Sequence, residues 1–99
     1  MSELPAKVSI YTTDYCPYCT MAKRLLEKKG ASYDEIRVES RPELRDWLVD
    51  VSGQSTVPQV FVNGQSLGGF SDIASLDREG KLDALLAAAP APDAPALRD

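Results

Sequence analysis

The stretch VSIYTTDYCPYC, residues 8–19, joins an apolar, β-prone run to the start of a helix-forming stretch. The chain carries its two cysteines at this junction, as Cys16 and Cys19. When a strand feeds a helix through a C-x-x-C pair, the first sulfur lies at the helix N-terminus. Unpaired backbone N–H groups and the helix dipole favour a thiolate there. Pro17 suits the first helical turn, since the N–H that it lacks is not needed in that position. The stretch therefore predicts a reactive dithiol, with Cys16 as nucleophile and Cys19 as resolving thiol.

The size and charge of the chain limit the number of domains and the classes of partner that we expect. Its 99 residues, 43% of them apolar, suffice for one compact domain. The net charge of −4 and the lack of a basic stripe argue against a nucleic-acid partner. No apolar run approaches the roughly 18 residues that span a bilayer. The start, Met1 to Pro5, has no apolar segment of a secretory signal. We therefore expect a cytoplasmic protein with neither nucleic-acid nor membrane partners.

The reactive side chains narrow the chemistry further. In a reducing cytosol a lone cysteine pair is more often catalytic or metal-binding than a structural bridge. The chain has no histidine, which excludes the Cys-His and Ser-His-Asp mechanisms of hydrolases. Two cysteines without histidine supply too few ligands for a structural zinc site within one chain, so zinc would require a dimer. Thiol chemistry is thus the expected use of the pair, and no metal site is predicted.

Hydrophobic spacing predicts the order of strands and helices. Short runs of β-forming residues alternate with stretches whose apolar residues recur every three or four positions, as strands and amphipathic helices require. Asn63-Gly64, between two β-prone runs, favours a tight hairpin turn. Ser40, followed three residues on by Glu43, has the capping-box pattern of a helix start. The expected strands cover 7–12, 33–38, 58–62 and 65–67, and the expected helices run over 17–29, from the Ser40 cap to Gly53, from an Asp72 cap to Leu76, and through Leu82 to Ala89.

This order predicts an α/β fold. A β-α-β unit implies a parallel, right-handed crossover, and the hairpin adds antiparallel strands. The result is β-α-β-α-β-β-α, a four-stranded mixed sheet flanked by helices. The Pro/Ala-rich end of the chain has too few large apolar groups to order itself. We therefore expect a single domain over 1–89 and a flexible tail over 90–99.

Three motifs in register resemble those of the glutaredoxins, in the thioredoxin superfamily, and above all those of the dithiol bacterial members. They are Cys16-Pro17-Tyr18-Cys19, the run TVPQVFVNG at residues 56–64 and the run GGFSD at residues 68–72. The resemblance extends over about residues 6–88. It implies a thioredoxin-like fold, one glutaredoxin domain, and glutathione as the reducing cosubstrate, with no permanently bound cofactor.

The resemblance also assigns roles to residues around the dithiol. The Val57-Pro58 peptide should be cis and lie opposite Cys16, so that an extended substrate can pair with the Val57 backbone. Ser71 and Asp72 should receive the γ-glutamyl end of glutathione, although a plain helix N-cap is an alternative role for Asp72. The glutathione-binding residues that the resemblance implies are Thr13, Tyr18, Gln54, Thr56, Val57, Pro58, Gly69, Phe70, Ser71 and Asp72.

Two of these positions depart from the pattern of the family. Thr13 stands where many members have a lysine, and the missing cation would have attracted anionic glutathione. Phe70 stands where many dithiol members have a further cysteine, so this chain lacks that third thiol. The first helix also carries a group of cations that are interpreted as a solvated face or, alternatively, as a docking patch for acidic partners. These cations are Lys23, Arg24, Lys28 and Lys29.

The resemblance implies a monomer that reduces protein disulfides and glutathione mixed disulfides at the expense of glutathione. Cys16 would take the glutathionyl group, and either a second glutathione or Cys19 would remove it. Two alternatives stay open. One is an iron–sulfur cluster carrier, with Cys16 and glutathione as ligands across a dimer, which the bulk of Pro17-Tyr18 disfavours. The other is a hydrogen donor that thioredoxin reductase reduces, a possibility that Phe70 suggests.

Overall fold

The computed structural model of the chain describes residues 4–98. Met1–Glu3 and Asp99 lie outside the described residues, and with them most of the segment on which the expectation about a secretory signal rests. The elements are β1 (Val8–Thr12), α1 (Pro17–Lys28), β2 (Asp34–Arg37), α2 (Pro42–Ser52), β3 (Gln59–Val62), β4 (Gln65–Gly68), α3 (Phe70–Arg78) and α4 (Lys81–Leu86). The predicted order is confirmed, with two helices, α3 and α4, at its end. Within the described range no helix is long and apolar enough to cross a membrane.

The four strands form one mixed sheet in the order β2-β1-β3-β4. β1 pairs in parallel with β2 and antiparallel with β3, and β4 completes the hairpin. All residues of β1 are buried, as expected for a central strand that is covered on both faces. Because α1 is the crossover from β1 to β2, its N-terminus lies beyond the carboxyl end of β1, where ligand sites form in open α/β sheets. The topology confirms the predicted thioredoxin-like fold and places the dithiol at this edge.

Helices cover both faces of the sheet and create two cores. Side chains of a strand point alternately to opposite faces, so Ile10 belongs to one core and Tyr11 to the other. The first core lies under α1, α3 and α4, and the second lies under α2. The buried residues of the first core are Ala6, Val8, Ile10, Ala22, Leu26, Ala31, Val60, Val62, Ile73, Leu82 and Leu86, and those of the second are Tyr11, Val38, Leu44, Leu48 and Phe61.

The end of the chain lies against the second core. Leu97 packs against the buried cluster there, and the Tyr11 hydroxyl donates a hydrogen bond to the backbone carbonyl of Arg98. The Arg98 guanidinium lies 6.0 Å from the centroid of the Trp47 ring, within the range of a cation–π contact. The Trp47 ring lies 5.6 Å, between centroids, from that of Tyr11. The last residues thus add to the cover that α2 gives this face.

The hairpin turn between β3 and β4 is the one that the sequence predicts. Asn63 and Gly64 have φ angles of 54° and 83°, both positive as a type I′ turn requires. The Asn63 side chain ties the turn to two other segments. Its Oδ1 accepts from the Lys7 N–H at 2.8 Å, and its Nδ2 donates to the Ala88 carbonyl at 2.8 Å. The turn residue therefore joins the start of β1 to the segment after α4.

Two predicted helix caps are wrong. Ser40 has a φ of 58° and lies before the cap position of α2, which Arg41 occupies without capping the helix through its side chain. Asp72 is not the N-cap of α3, which is Gly69, but it lies in the first turn and caps the helix from there, because its carboxylate accepts from the Gly69 N–H. Residue type favours serine and aspartate as caps, but the path of the backbone into the helix decides which residue takes that position. The predicted end of α3 at Leu76 is also too early, because the helix continues to Arg78.

Candidate functional site

The two cysteines lie at the N-terminus of α1 and are joined by a disulfide. Cys16 is the N-cap residue, and its Sγ accepts a hydrogen bond from the backbone N–H of Cys19 at 3.1 Å. Cys19 is only 2% exposed, whereas Cys16 is partly exposed and Pro17 and Tyr18 between them are exposed. The predicted dithiol at a helix start is confirmed, and Cys16 is the sulfur that a partner can reach.

This environment differentiates the two sulfurs chemically. The Cys19 N–H is one of the donors that a helix leaves unpaired at its N-terminus. Once the disulfide is reduced, the same N–H can donate to a Cys16 thiolate, and donors bind a charged acceptor more strongly than a neutral one. The buried Cys19 sulfur has the opposite environment, since burial disfavours the charged form. One sulfur is thus suited to attack an outside partner and the other to close the internal disulfide.

The loop before β3 faces the dithiol. The Val57-Pro58 peptide is cis, as the resemblance implies. The carbonyl oxygen of Val57 lies 3.9 Å from Sγ of Cys16. Among residues 4–98, neither the N–H nor the C=O of Val57 pairs with another backbone group. The predicted position of Val57-Pro58 opposite Cys16 is therefore confirmed, and the backbone of Val57 is open to an extended ligand.

A buried amide that sequence reasoning missed holds this loop. Gln59 is fully buried, and its Nε2 donates to Oε1 of Gln54 at 2.9 Å and to the carbonyl oxygen of Thr56 at 2.9 Å. Its own Oε1 has no hydrogen-bond partner among the described residues. The sequence feature that points to Gln59 is its polar side chain at the start of an otherwise apolar strand. Gln59 thus holds Gln54 and Thr56, which both belong to the predicted glutathione site.

The N-terminus of α3 approaches the same loop from another side. A Cβ atom added to Gly69 would come within 3.3 Å of the carbonyl oxygen of Pro58, so a larger residue would press against the loop. Ser71 and Asp72 are exposed in the first turn of α3, where backbone N–H groups lack helical partners. One carboxylate oxygen of Asp72, Oδ2, accepts from the Gly69 N–H at 2.9 Å. The structure thereby brings the start of α3 beside Val57-Pro58.

Aromatic rings flank the accessible sulfur. Tyr18 is 62% exposed, and its ring centroid lies 6.4 Å from that of Phe70 at the start of α3. Tyr15, directly before Cys16, is fully exposed and has a φ of 54°, which is uncommon for a residue other than glycine. Nothing in the sequence pattern singles out Tyr15, apart from its place next to the C-x-x-C pair. Both tyrosines are available for contact with a partner that reaches Cys16.

Thr13 lines a cleft that the other predicted glutathione-binding residues do not line. This cleft is on the β2 side of the dithiol, and Thr13 lines it together with Cys16, Cys19, Lys23 and Glu35. Gln54, Thr56 and the residues of α3 do not contribute to it. The structure therefore groups Thr13 with the cysteines but not with the loop before β3.

Charges in this cleft are paired with one another. Lys23 Nζ lies 3.1 Å from Oε2 of Glu35, and the Thr12 hydroxyl donates to the same oxygen at 2.8 Å. Burial is the largest influence on the pKa of Glu35 and raises it, but the Thr12 and Lys23 bonds outweigh burial and hold this pKa below its ordinary value. Asp14, two residues before Cys16, forms an ion pair with Arg37 that offsets its negative charge. Across the described part of the chain no three potential metal ligands come together.

Known proteins resemble this chain over most of its length. A family model described as glutaredoxin matches residues 8–67. A glutaredoxin of Pseudomonas aeruginosa is 49% identical over 81 residues, which cover 82% of this chain and 96% of the relative. Glutaredoxin 3 of Escherichia coli is 44% identical over 81 residues, which cover 82% of this chain and 98% of the relative.

Solved structures share the fold. A complex of buckwheat glutaredoxin with glutathione has a TM-score of 0.77 and 31% identity, and the match covers 82% of this chain and 76% of that chain. A solution structure of glutaredoxin from Brucella melitensis has a TM-score of 0.74 and 47% identity, and the match covers 82% of this chain and 88% of that chain. The family match, these identities and the Cys16–Cys19 pair at the start of α1 show that the chain belongs to the glutaredoxin family of thiol–disulfide oxidoreductases.

Proposed function

We propose that this chain uses glutathione to reduce protein disulfides and mixed disulfides between proteins and glutathione. The observation that carries the proposal is the position of Sγ of Cys16, partly exposed at the N-cap of α1 and 3.9 Å from the carbonyl oxygen of Val57. The partner thiol, Cys19, is 2% exposed. A substrate that lies along Val57 would have its sulfur beside Cys16 and out of reach of Cys19.

The first step transfers the glutathionyl group to Cys16. The thiolate of Cys16 attacks the glutathione sulfur of the mixed disulfide, a new Cys16–glutathione bond forms, and the protein sulfur leaves as a thiolate that takes up a proton. The N–H of Cys19, which donates to Sγ of Cys16 at 3.1 Å, stabilises the attacking thiolate. The protein substrate is reduced, and its oxidising equivalent now resides in the new disulfide.

Two routes regenerate the Cys16 thiolate. In the first, a second glutathione thiolate attacks the glutathione sulfur on Cys16, so that oxidised glutathione leaves and Cys16 is free. In the second, the Cys19 thiolate attacks Sγ of Cys16, glutathione leaves as a thiolate, and the Cys16–Cys19 disulfide forms. Two glutathione molecules then reduce this internal disulfide and leave as oxidised glutathione. Cys19 is required only in the second route.

Glutathione would bind as a short extended strand. Its backbone would pair with the N–H and C=O of Val57, which bond to no backbone group among residues 4–98, in the way that a peptide adds to a sheet edge. Its γ-glutamyl carboxylate would accept from backbone N–H groups at the N-terminus of α3, around Ser71, and its ammonium would pair with the Asp72 carboxylate. The residues proposed for this site are Thr13, Tyr18, Gln54, Thr56, Val57, Pro58, Gly69, Phe70, Ser71 and Asp72. The glutathione complex of the buckwheat relative supports a ligand of this class.

The proposed setting follows from this chemistry. The partners are glutathione and proteins that carry disulfides or glutathionyl groups, and the chain acts as a monomer without nucleic-acid or membrane partners. Glutaredoxins have potentials of about −200 to −230 mV, close to those of cytoplasmic glutathione pools, so exchange can run in both directions there. The cytoplasm is therefore the proposed location.

Steady-state turnover of a glutathione mixed disulfide tests the proposal. With glutathione as reductant, wild type and Cys19→Ser should turn over and Cys16→Ser should not. Turnover by Cys16→Ser would contradict the role of Cys16. Replacing glutathione by thioredoxin and its reductase, or by thioredoxin reductase alone, should give no comparable rate. A faster rate with thioredoxin reductase than with glutathione would contradict the glutathione dependence.

A further inference from the structure

A shallow groove between α1 and α3 lies next to the dithiol and shares only Phe70 with the proposed glutathione site. We call it the α1–α3 groove, and its apolar floor consists of Met21, Leu25, Phe70 and Ala74. Met21 is 43% exposed, although methionine is an adaptable apolar side chain that proteins commonly bury. The groove is concave and apolar at the base, as sites for peptide side chains are.

The rim of the groove is positively charged. Arg24 and Lys28 line it from α1, and neither has an ion-pair partner among residues 4–98. Arg78 lines it from α3 and, within the described part of the chain, donates only to the hydroxyl of Ser75, at 3.0 Å. The carboxylate on this rim, Asp77, is held by Lys29. A chain with a net charge of −4 thus concentrates unpaired cations around an apolar floor.

The groove begins at the active site. Phe70 belongs to its floor, and the Phe70 ring lies 6.4 Å, between centroids, from the ring of Tyr18 between the two cysteines. At about 1.5 Å per helical residue, Lys28 lies roughly 18 Å along α1 from Cys16. An extended peptide covers about 3.3 to 3.6 Å per residue, so some five or six residues would reach from Cys16 to the far end of the rim.

We propose that the α1–α3 groove docks an acidic segment with an apolar anchor, carried by the substrate protein next to its reactive cysteine. The inference rests on the proposed function and adds a rule for the choice of protein substrates. The apolar anchor would cover the floor at Met21, and its carboxylates would face Arg24 and Lys28. Complementary charge of this kind mainly accelerates encounter and selects partners. A lipid surface fits less well, because membrane binding needs a long apolar helix face, and the apolar residues Ala22 and Leu26 of α1 are buried in the first core.

Two glutathionylated peptides test the proposal. Both carry one modified cysteine, and one continues with aspartates and glutamates around a leucine, whereas the other has serines and glycines in the same places. Wild type should have a kcat/KM about fivefold or more higher for the acidic peptide at low ionic strength, and salt should reduce the difference because exposed charges are screened. The double substitution Arg24→Glu/Lys28→Glu should abolish the preference.

A matched variant and a small substrate separate the possible causes. Lys7→Glu/Lys81→Glu makes the same charge change at exposed positions outside the groove and should keep the preference. All variants should retain the wild-type kcat/KM for the mixed disulfide of glutathione and 2-mercaptoethanol, which is too small to reach the groove. Equal rates for the two peptides with wild type would overturn the docking proposal. A preference for the acidic peptide that survives in Arg24→Glu/Lys28→Glu would also overturn it. The same holds if wild type binds anionic vesicles through these two cations but turns over the two peptides at equal rates. Failure of wild type on the small substrate would instead contradict the proposed function.

Discussion

The carbonyl oxygen of Val57 lies 3.9 Å from Sγ of Cys16. The two residues belong to separate segments, the loop before β3 and the N-cap of α1, and only the fold brings them together. A backbone segment that has no backbone partner among the described residues thereby lies beside the accessible sulfur of the pair. The predictions below test the side chains that hold this arrangement and the groups that would bind glutathione.

Gln59→Leu should weaken substrate binding without changing the chemical step. Leucine fills a similar volume but cannot donate to Thr56 or Gln54, so the loop before Val57 loses two hydrogen bonds. One such bond contributes about 0.5 to 1.5 kcal/mol, and we expect KM for a glutathionylated peptide to rise about fivefold with kcat little changed. Gln65→Leu, at an exposed position of β4, is the control. A fall in kcat with constant KM would contradict this positioning role.

Substitutions of Asp72 should separate helix capping from ligand binding. Asp72→Asn keeps an oxygen that can accept from the Gly69 N–H but loses the charge that would meet the glutathione ammonium. We expect KM for glutathione to rise about tenfold, since bonds to charged groups contribute about 1.5 to 3 kcal/mol, with little change in the free energy of unfolding. Asp72→Ala should raise KM as well and also destabilise the fold by about 1 kcal/mol. An unchanged KM in Asp72→Asn would show that Asp72 serves α3 alone.

Glu35→Gln should reduce stability in a pH-dependent way. The pKa of Glu35 is lowered in the folded state, so its carboxylate stabilises the fold above the unfolded value of about 4.3, and this contribution is lost as pH falls through the lower folded pKa. Glutamine keeps an acceptor for the Thr12 hydroxyl and loses only the charge that pairs with Lys23. Because the pair is partly exposed, we expect a loss of less than about 1 kcal/mol near neutral pH, which disappears in acid.

Urea unfolding at several pH values measures this effect. Asp46→Asn, at an exposed position of α2, removes a charge away from the cleft and should show no comparable trend. A difference between wild type and Glu35→Gln that grows as the pH is lowered would have the wrong sign and would contradict the pairing.

A chain that ends at Ala89 should fold and remain active, since the proposed domain covers 1–89 and the dithiol lies far from the tail in sequence. It should nevertheless be less stable by about 1 to 3 kcal/mol, because Leu97 no longer packs against the second core and Arg98 no longer covers Trp47. Leu97→Ala in the full chain should reproduce part of this loss. If the shortened chain fails to fold, residues 90–98 belong to the domain.

Local sequence patterns suffice for much of the fold and for the centre of the site. Strand and helix periodicities, the Asn63-Gly64 turn and the C-x-x-C pair depend on residues that are adjacent along the chain, so their structures follow from neighbours alone. The cis Val57-Pro58 peptide and its place opposite Cys16 came from the family resemblance, because no local pattern determines either.

Relations that tertiary packing creates were not predictable in the same way. Gln59 reaches back to Thr56 only because the loop folds over a buried strand end, and a glutamine in a β-prone run gives no sign of that contact. Arg41 rather than Ser40 caps α2 because the backbone enters the helix one residue later. The contact of Arg98 with Trp47 joins two distant segments that sequence patterns alone describe as a helix and a Pro/Ala-rich tail.

A single-turnover transfer measures the central claim most directly, namely that Cys16 beside Val57 takes the glutathionyl group. Reduced Cys19→Ser and reduced Cys16→Ser are each mixed with a glutathionylated peptide in the absence of free glutathione, and the protein is analysed by mass spectrometry over time. We predict that Cys19→Ser gains one glutathionyl group as the peptide loses it, while Cys16→Ser gains none on the same timescale. Equal transfer to both variants, or transfer to Cys16→Ser alone, would contradict the account.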